Sequence, residues 1–297
     1  MVIQAPAKVN LFLELLGKLP SGYHALDTVM TEISWFDTLV LEPSDESHGP
    51  IEFRVVDSRG LALESDVPSG ADNLVVRALE LLRTRAGIER PLRATLIKRI
   101  PSQAGLGGGS SDAAAALRGA NRLWGIDWDR ARLMELAAEL GSDIPFFVVG
   151  GTARCRGRGE QVEPLPVPLD LFLVVVKPPV GLGTADVYRR CTVPAQPRCG
   201  DEFCTSLRSK NPQEIAHRMF NRLAEPACGL TEWVGRLGRS FERTGCLGWL
   251  LSGSGSACFA AYAGRSAAQR AARVLQSSHE LSVRVVRPLS GRATDSP

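Results

Sequence analysis

The sequence is poor in lysine, in aromatic residues and in long apolar runs. Of its 35 basic residues only five are lysine, which leaves thirty arginines, and aromatic residues make up 6% of the 297 positions. The longest candidate apolar run, Leu171–Val176, has the length of a strand and is far short of the roughly 18 residues that span a membrane. The N-terminal residues also lack the charged and apolar regions of a signal peptide. We therefore expect a cytoplasmic protein without a membrane partner.

Cysteine spacing and net charge argue against two further classes of protein. The seven cysteines include no Cys-x-x-Cys pair, and Cys191, Cys199 and Cys204 lack a fourth ligand at metal-site spacing. This pattern indicates reduced thiols. The net charge of +3 is too small to argue for a nucleic-acid partner. A composition with 44% hydrophobic and 23% charged residues is that of a globular protein, long enough for two domains.

A glycine-rich stretch is the most informative feature of the sequence. The apolar run Leu92–Ile100 favours a strand, Gly105 and Gly107–Gly109 follow it, and an alanine-rich helical pattern comes next. One face of that helix is predicted to carry Ala113, Ala114, Leu117 and Asn121. Glycine lets several backbone N–H groups converge, and a helix N-terminus adds donors and a positive dipole end. The order strand, loop, helix therefore predicts an anion site, for which phosphate is the usual ligand.

Two common phosphate-binding motifs do not fit this stretch. A Walker A loop needs a lysine directly after its last glycine, and none follows Gly109. The dinucleotide fingerprint needs a third glycine where Ser110 stands. An ordinary linker or capping loop is disfavoured, because linkers do not join an apolar strand to an apolar helix. The sequence therefore predicts a phosphate loop of another kind.

Apolar periodicity predicts strands and helices along the rest of the chain. Residues 3–16 are predicted to form a strand with Lys8 and Asn10 on one face, and a second strand is predicted over 27–35. Helices are predicted over 73–85, over 129–140 and from Asn211 to about Ala224. The first has the apolar stripe Leu74, Ala78, Leu81 and Leu82, and the second has Gly141 at its C′ position. A strand pair is predicted over 152–163, where Arg154, Arg156 and Arg158 alternate and indicate a solvated edge more than a ligand contact.

Asp143 is predicted to be fixed near the end of a helix. It lies between the helix stop at Gly141 and an apolar run, Ile144–Phe147, that contains Pro145. An N-cap aspartate is the ordinary interpretation of such a residue. A carboxylate held in this way can also serve as a general base.

Three separated stretches resemble the motifs of the GHMP kinases, the superfamily of galactokinase, homoserine kinase, mevalonate kinase and phosphomevalonate kinase. Pro101–Ser111 resembles their phosphate-binding loop, Pro-x-x-x-Gly-Leu-Gly-Ser-Ser-Ala, with two extra glycines. Ala5–Asn10 resembles their first motif and Leu251–Ala257 their third. Further stretches, at 7–14, 22–24, 27–29 and 141–147, are similar to the members that phosphorylate 4-diphosphocytidyl-2-C-methyl-D-erythritol. The resemblance covers nearly the whole chain and is weakest over 189–210.

This resemblance implies an α+β fold of two domains. Residues 1–164 are expected to form an ATP-binding α/β domain like the second domain of a small-subunit ribosomal protein. Residues 165–289 are expected to form a ferredoxin-like domain, and 290–297 a disordered tail. In the family, substrate and ATP meet in the cleft between the domains.

The resemblance also implies a reaction and its residues. The ATP γ-phosphoryl group would pass to the 2-hydroxyl of the methylerythritol moiety, with ATP and Mg²⁺ as cofactors, in non-mevalonate isoprenoid precursor synthesis. Lys8 matches the catalytic lysine, and Asp143 is the candidate general base. The residues expected to bind ATP are Asn73, Lys98, Pro101, Ser102, Gln103, Ala104, Gly105, Leu106, Gly107, Gly108, Gly109, Ser110 and Ser111. Of these, Asn73 and Lys98 match positions that line the adenine pocket. Those expected to bind the cytidine diphosphate part are Asn10, Tyr23, His24, Thr184 and Tyr188. A hydroxyl of Ser110 or Ser111 can bind phosphate or Mg²⁺, whose other ligands are unassigned, and Ser252–Ser256 is expected to shape the substrate side of the cleft.

Two other interpretations remain open. Another GHMP kinase, of the homoserine or phosphomevalonate type, would not need the Gly22–His24 stretch or a pair of stacking tyrosines. A non-catalytic nucleic-acid-binding relative is disfavoured by the net charge of +3 and by the glycine loop. A catalytically inactive nucleotide-binding relative would not need Lys8 and Asp143, and both are present. The sequence predicts a small-molecule substrate and no nucleic-acid partner, and it carries no signal for an oligomeric state.

Overall fold

The computed structural model describes residues 1–45, 49–57, 67–276 and 280–291. In chain order its elements are β1 (Val2–Lys18), β2 (His24–Pro43), β3 (Ile51–Val56), α1 (Leu74–Ala86), β4 (Leu92–Ile97), α2 (Gly108–Leu123), α3 (Arg130–Leu140), α4 (Ile144–Val149), β5 (Thr152–Gly157), β6 (Gln161–Pro164), β7 (Phe172–Lys177), α5 (Thr184–Arg190), α6 (Gly200–Arg208), α7 (Pro212–Arg218), β8 (Phe220–Asn221), α8 (Ala224–Cys228), α9 (Trp233–Glu242), β9 (Gly248–Leu251), β10 (Cys258–Tyr262), α10 (Arg265–Leu275) and β11 (Ser282–Val286). No helix within the described ranges is long and apolar enough to cross a membrane.

The larger sheet is built on two long strands. Its strand order is β3-β4-β2-β1-β8, and β5 pairs with β2 and with β6. β3 and β4 run parallel, whereas β2 is antiparallel to both β4 and β5. The predicted strand at the N-terminus is confirmed as β1, but both of its faces are buried from Ala5 to Leu15. Its polar face therefore lies inside the protein, where each polar group needs a partner.

The smaller sheet is entirely antiparallel, in the order β11-β7-β10-β9. One face contributes Val174, Val176 and Ala260 to a buried core. Helices α9 and α10 cover this face with residues such as Phe241 and Ala268. The strand-length apolar run noted at Leu171–Val176 corresponds to β7.

The chain forms two compact units, each built from several segments. Unit 1 comprises residues 1–7, 35–102 and 107–149, and unit 2 comprises residues 8–34, 103–106 and 150–297. Strands β1 and β2 contribute residues to both units. These units are discontinuous in sequence, whereas the predicted domains are continuous, so the boundary between residues 164 and 165 stays a prediction. Of the predicted tail, 292–297 lie outside the described residues.

Helix α2 of unit 1 is buried on almost every side. The four residues predicted for its inner face are buried, but so are most residues between them. Small side chains permit this close packing: a Cβ on Gly119 would lie 2.1 Å from the Ile3 side chain and 2.7 Å from that of Leu41. The helix is thus fixed against the ends of β1 and β2.

Tertiary contacts change several local predictions. In α1 the buried stripe contains Val75 and Leu79 in place of the half-buried Leu74 and Leu81. Gly141 follows α3 with φ 175°, which is extended backbone and not the left-handed conformation expected at a C′ glycine.

The region after residue 189 differs most from its prediction. Residues 200–208 form α6, which was not predicted, and α7 ends at Arg218, six residues before the predicted end at Ala224. Helix α7 ends because the next residues join the larger sheet: Phe220 pairs with Phe12 and Asn221 with Leu13. Arg154 is 7% exposed and ion-paired, so the predicted solvated edge is wrong at that position.

All seven cysteines are free thiols, as predicted. Burial raises the pKa of Cys258, Cys204 and Cys191. A raised thiol pKa lowers the fraction of reactive thiolate at neutral pH. The thiols of Cys258, Cys204 and Cys191 therefore contribute to packing and are not activated as nucleophiles.

Candidate active site

The first half of the predicted phosphate loop, residues 103–106, belongs to unit 2, where it binds the turn at 252–257. Ala257 N–H donates to Ala104 O at 3.1 Å, and the Ser252 hydroxyl donates to Gly105 O at 2.9 Å. The 252–256 turn was predicted to shape the substrate side, and its backbone and Ser252 also hold the phosphate loop. The loop is further joined to β1, since Lys8 N–H donates to Leu106 O at 2.9 Å.

Gly105 is required by two features of this loop. Its φ of 72° lies in the left-handed region that favours glycine. A Cβ at this position would lie 2.0 Å from Ser252 O and 2.9 Å from Gly255 N, which are backbone atoms. No other residue can occupy position 105 without moving the turn.

The second half of the loop begins α2 in unit 1. Gly107 is the N-cap, with φ 69°, and none of the side chains that the structure describes caps the helix. Because the first N–H groups of a helix have no partner within the helix, this end offers donors to an anion. Ser111 is 1% exposed, and among the described residues its hydroxyl has no hydrogen-bond partner. The arrangement fits the predicted phosphate site.

A buried ion-pair network supports the start of α2. Lys98 Nζ binds Asp37, and it binds Asp112 Oδ2 at 2.8 Å. Asp37 also accepts the backbone N–H groups of Arg99 and Ile100. Burial and repulsion from Asp37 raise the pKa of Asp112 to about 7, although Lys98 opposes this shift. Burial alone would lower the pKa of Lys98, but the two carboxylates raise it. The network ties the end of β4 to the first turns of α2.

Lys98 and Asn73, both predicted to line an adenine pocket, have structural contacts in unit 1. The Lys98 side chain is 8% exposed and held by the two carboxylates. Asn73 is the N-cap of α1: its Oδ1 accepts Val75 N–H at 2.9 Å, and its amide donates to Pro68 O at 2.7 Å. Their role in adenine binding therefore stays a prediction.

Asp143 is half-buried directly before α4, in agreement with its predicted place near a helix end. All six residues of α4 are buried, including Pro145 and Phe146. Because the short helix is packed on every side, it holds the backbone of the preceding aspartate firmly. The position suits a carboxylate that must be fixed in direction.

A chain of buried polar groups surrounds Lys8 in unit 2. Lys8 and Asn10 are each 3% exposed, and Lys8 Nζ donates to Asn10 Oδ1. Asn10 Nδ2 donates to Thr28 Oγ1 at 2.9 Å, and Thr28 Oγ1 donates to Phe12 O at 2.6 Å. These bonds fix the orientation of the Asn10 amide, so its oxygen faces the lysine. Sequence reasoning missed Thr28, although the Asp27–Val29 motif contained it.

Gly253 closes the space above this chain. A Cβ on Gly253 would lie 3.1 Å from Lys8 Nζ and 3.3 Å from Asn10 Oδ1. Asn221 holds the turn there, because its amide donates to Leu251 O at 2.8 Å and to Gly253 O at 2.7 Å. Asn221 was also missed, since it lies in the region that was predicted to be helix.

The residues predicted to bind the cytidine diphosphate part lie in unit 2, and two of them, His24 and Tyr188, contact each other. The His24 and Tyr188 rings are 5.5 Å apart with an angle of 36° between their planes. Thr184 Oγ1 and Ser254 Oγ are 3.0 Å apart. Tyr23 differs: it is 56% exposed, and its ring lies under the Arg158 guanidinium at 5.5 Å. The aromatic pair is therefore His24 with Tyr188.

His24 carries an unused buried nitrogen. Among the described residues its Nε2 has no hydrogen-bond partner. Burial, together with the positive charge of Lys18, lowers the pKa of His24, so the ring is neutral at neutral pH. A neutral imidazole beside an aromatic ring can hydrogen-bond to the edge of a base.

No group of three or more His, Cys, Asp or Glu residues suited to a metal occurs within the described ranges. Within the predicted site, hard oxygen ligands are offered by the serine hydroxyls of the phosphate loop and by the Asp143 carboxylate. The sequence prediction left the metal ligands unassigned, and the part of the chain that the structure describes adds no such cluster.

Two family models match the chain. The model of the GHMP kinases N terminal domain matches residues 73–151, and that of the GHMP kinases C terminal region matches residues 205–280. A solved structure of homoserine kinase from Cytophaga hutchinsonii is similar to the chain with a TM-score of 0.73 at 18% identity, covering 99% of this chain and 96% of that one, which is a likeness of fold. The predicted two-domain mixed fold is confirmed. These matches define the class of protein: a GHMP kinase, an ATP-dependent phosphotransferase.

Closer relatives define the family within that class. The chain is 41% identical to the 4-diphosphocytidyl-2-C-methyl-D-erythritol kinase of Pelotomaculum thermopropionicum, over 94% of this chain and 95% of the relative. It is 38% identical to that of Bacillus pumilus, over 90% of each. A solved structure of 4-(cytidine 5'-diphospho)-2C-methyl-D-erythritol kinase shares 34% identity and a TM-score of 0.77, covering 97% of this chain and 99% of that one. The chain belongs to the 4-diphosphocytidyl-2-C-methyl-D-erythritol kinase family of the GHMP kinases.

Proposed function

We propose that this chain transfers the γ-phosphoryl group of ATP to the 2-hydroxyl of 4-diphosphocytidyl-2-C-methyl-D-erythritol. The products are the 2-phosphate and ADP, and the reaction belongs to non-mevalonate isoprenoid precursor synthesis. The names of the similar kinases support this substrate. The structural observation that carries the proposal is the His24–Tyr188 pair, in which His24 Nε2 has no partner among the described residues. This arrangement suits an aromatic base with hydrogen-bonding edges.

Two residues carry the proposed proton transfer. The ammonium group of Lys8 lowers the pKa of the attacking 2-hydroxyl and stabilises the charge that develops on its oxygen. The Asp143 carboxylate accepts the hydroxyl proton late in the reaction and orients the oxygen. As the new O–P bond forms, the bond between the γ-phosphorus and the β,γ-bridging oxygen breaks, and ADP leaves with that oxygen. Asn10 supports the first role, since its carbonyl oxygen accepts from Lys8.

The phosphates of ATP are proposed to bind the loop from Pro101 to Ser111. Its glycines and the N-terminus of α2 supply N–H donors without a lysine. The residues present fit Mg²⁺ in one respect: the Ser111 hydroxyl is a hard oxygen ligand, buried and unpartnered among the described residues. Mg²⁺ bound with ATP would neutralise phosphate charge. A cytoplasmic location and the lack of a nucleic-acid partner stay predictions from the sequence.

An ADP-release assay tests the assignment. Purified protein, Mg²⁺ and ATP are mixed with 4-diphosphocytidyl-2-C-methyl-D-erythritol, and ADP is followed by a coupled assay beside homoserine and mevalonate. We expect the wild-type protein to release ADP with the cytidyl substrate and not with homoserine or mevalonate. A Lys8→Ala variant should release no ADP with any of the three, which controls for contaminating kinases. ADP at background level with the cytidyl substrate, or turnover of homoserine in its place, would overturn the proposal.

A further inference from the structure

Arg154 is the most deeply buried arginine of the strand pair β5–β6. Its side chain is 9% exposed, whereas that of Arg156, two residues further along β5, is 47% exposed. The Arg154 guanidinium forms a two-pronged pair with Asp27 on β2: Nε lies 2.7 Å from Oδ1, and Nη2 lies 2.7 Å from Oδ2. Its remaining nitrogen binds Asp201 at the start of α6. Such a paired geometry fixes both position and direction.

Asp27 also holds the backbone of α6. Its Oδ2 accepts Gly200 N–H at 3.1 Å, and a Cβ on Gly200 would lie 2.4 Å from this oxygen. Position 200 therefore needs glycine for the carboxylate to reach the backbone. Hydrogen bonds to Asp27 raise the pKa of Arg154, so the guanidinium stays charged at any working pH.

Glu14 on β1 makes a second contact of the same kind. Its side chain is 0% exposed, and it accepts Arg198 N–H at 3.1 Å. It is also paired with Arg222, at 2.8 and 2.7 Å. Burial alone would raise the pKa of Glu14, but the bonds from Arg222, Arg198 and Leu15 lower it, so the carboxylate is ionised. Glu14, Asp27 and Arg154 thus form a buried anchor for the backbone at 198–201.

The anchor lies at the end of a segment that begins at the proposed base-binding residues. Thr184 and Tyr188 are on α5, and the chain from Cys191 to Cys199 connects α5 to the anchored residues. Cys191 and Tyr188 pack against the core of unit 2. Asp27 lies three residues after His24 on β2, so the anchor joins the strand that carries His24 to the segment that follows Tyr188.

We propose that Arg154 is a positioning residue for the cytidine end of the substrate. Through Asp27 and Gly200 it fastens the 189–201 segment to β2, and this holds Tyr188 of α5 beside His24. The inference rests on the proposed function, because the substrate it serves is the cytidyl one. It gives the segment that resembled the family least a role in substrate specificity.

Steady-state kinetics of Arg154→Lys test this inference, with Arg156→Ala as the matched control on the same strand. Lysine keeps the charge but cannot form the two-pronged pair. We expect the KM for the cytidyl substrate to rise about tenfold, the order of one lost charged hydrogen bond, with kcat and the KM for ATP changed by less than about twofold. Arg156→Ala should leave all three constants unchanged, since its ion pair to Glu163 is exposed and 3.7 Å long.

Hydrogen exchange of the peptide covering 189–201 and calorimetric binding of CDP complete the test. Exchange should be faster, and CDP binding weaker, in Arg154→Lys than in wild type. Unchanged constants in Arg154→Lys, or an equal rise in both KM values, would overturn the inference. Wild-type protein that releases no ADP with the cytidyl substrate would instead contradict the proposed function. In that case the affinities of wild type and Arg154→Lys for CDP decide the inference without the kinetics. Equal affinities would overturn it.

Discussion

The candidate site depends on residues whose side chains are absent or very short. Gly105 lets the Ser252 carbonyl approach the phosphate loop more closely than any Cβ allows, and a Cβ at Gly253 would lie only 3.1 Å from Lys8 Nζ. Polar side chains at the same site are buried and held by several bonds, as the Asn10–Thr28 chain shows. A small change at any of these residues should therefore have a large and specific effect.

Gly105→Ala is predicted to remove most activity. The left-handed backbone costs alanine about 1–2 kcal/mol, and its Cβ would collide with the carbonyl of Ser252. We expect kcat/KM for ATP to fall by at least about tenfold, a loss of about 1.4 kcal/mol or more in transition-state stabilisation. Gly17→Ala is the control, because a Cβ there would meet no atom within 4 Å. Equal kinetics in the two variants would contradict the packing described for the loop.

Asp143→Asn separates a general base from a helix cap. Asparagine caps a helix as well as aspartate does, but it cannot accept the proton. We expect kcat to fall by about 10²–10⁴-fold, with little change in the KM for ATP or the KM for the cytidyl substrate. Asp129→Asn at the N-cap of α3, where the carboxylate accepts Arg132 N–H, should retain full turnover. If Asp143→Asn stays within a few-fold of wild type, the carboxylate only orients the substrate or caps α4.

The sequence predicts the helices and strands whose bounds are determined by the local pattern of residues. The strand, glycine loop and helix around Gly105 follow from composition and periodicity alone, and the structure has them as β4, the loop and α2. The end of α7 does not follow, because it is decided by pairing with Phe12, which lies over 200 residues earlier in the chain. The burial of Arg154 likewise depends on Asp27, a partner 127 positions away. Local patterns cannot report such partners.

The network of Lys98, Asp37 and Asp112 predicts a pH effect on stability. The pKa of Asp112 is about 7 in the fold against 3.8 as its ordinary value, so the folded state binds the additional proton between those pH values. The stabilisation that comes from this proton is complete below the pKa of Asp112 in the unfolded chain, and it is lost as the pH rises through about 7. Asp112→Asn resembles the protonated carboxyl and has no such loss.

Urea unfolding at pH 5 and pH 8 measures this effect. Between pH 5 and pH 8 we expect the stability of Asp112→Asn relative to wild type to improve by on the order of 2–3 kcal/mol. Glu139→Gln, which changes an exposed carboxylate paired with Arg85, should show no such trend. A relative stability of Asp112→Asn that is the same at both pH values would show that Asp112 is ionised in the fold throughout.

For the whole molecule, the sequence predicts which residues belong to the site better than how they are held. The motif residues Lys8, His24 and Tyr188 are far apart in the chain, and resemblance alone grouped them. The contacts that orient them come from Thr28, Asn221 and the Glu14–Asp27–Arg154 anchor, which belong to no short motif. These contacts form only when distant strands pair, so they follow from the fold.

Ligand-induced stabilisation tests the site in the intact molecule. A ligand at 100 times its Kd stabilises the fold by about 2.7 kcal/mol, which for a chain of this size raises Tm by about 5 °C. We expect CDP and ATP each to produce a shift of this order in a thermal melt, and homoserine to produce none. His24→Ala should lose most of the CDP shift and keep the ATP shift, because His24 Nε2, which has no partner among the described residues, and the ring contact with Tyr188 are proposed to serve the base. His217→Ala, an exposed histidine on α7, is the control and should keep both shifts. A CDP shift that survives in His24→Ala would place the cytidine elsewhere, whereas the loss of both shifts would mean that His24 supports the fold as a whole.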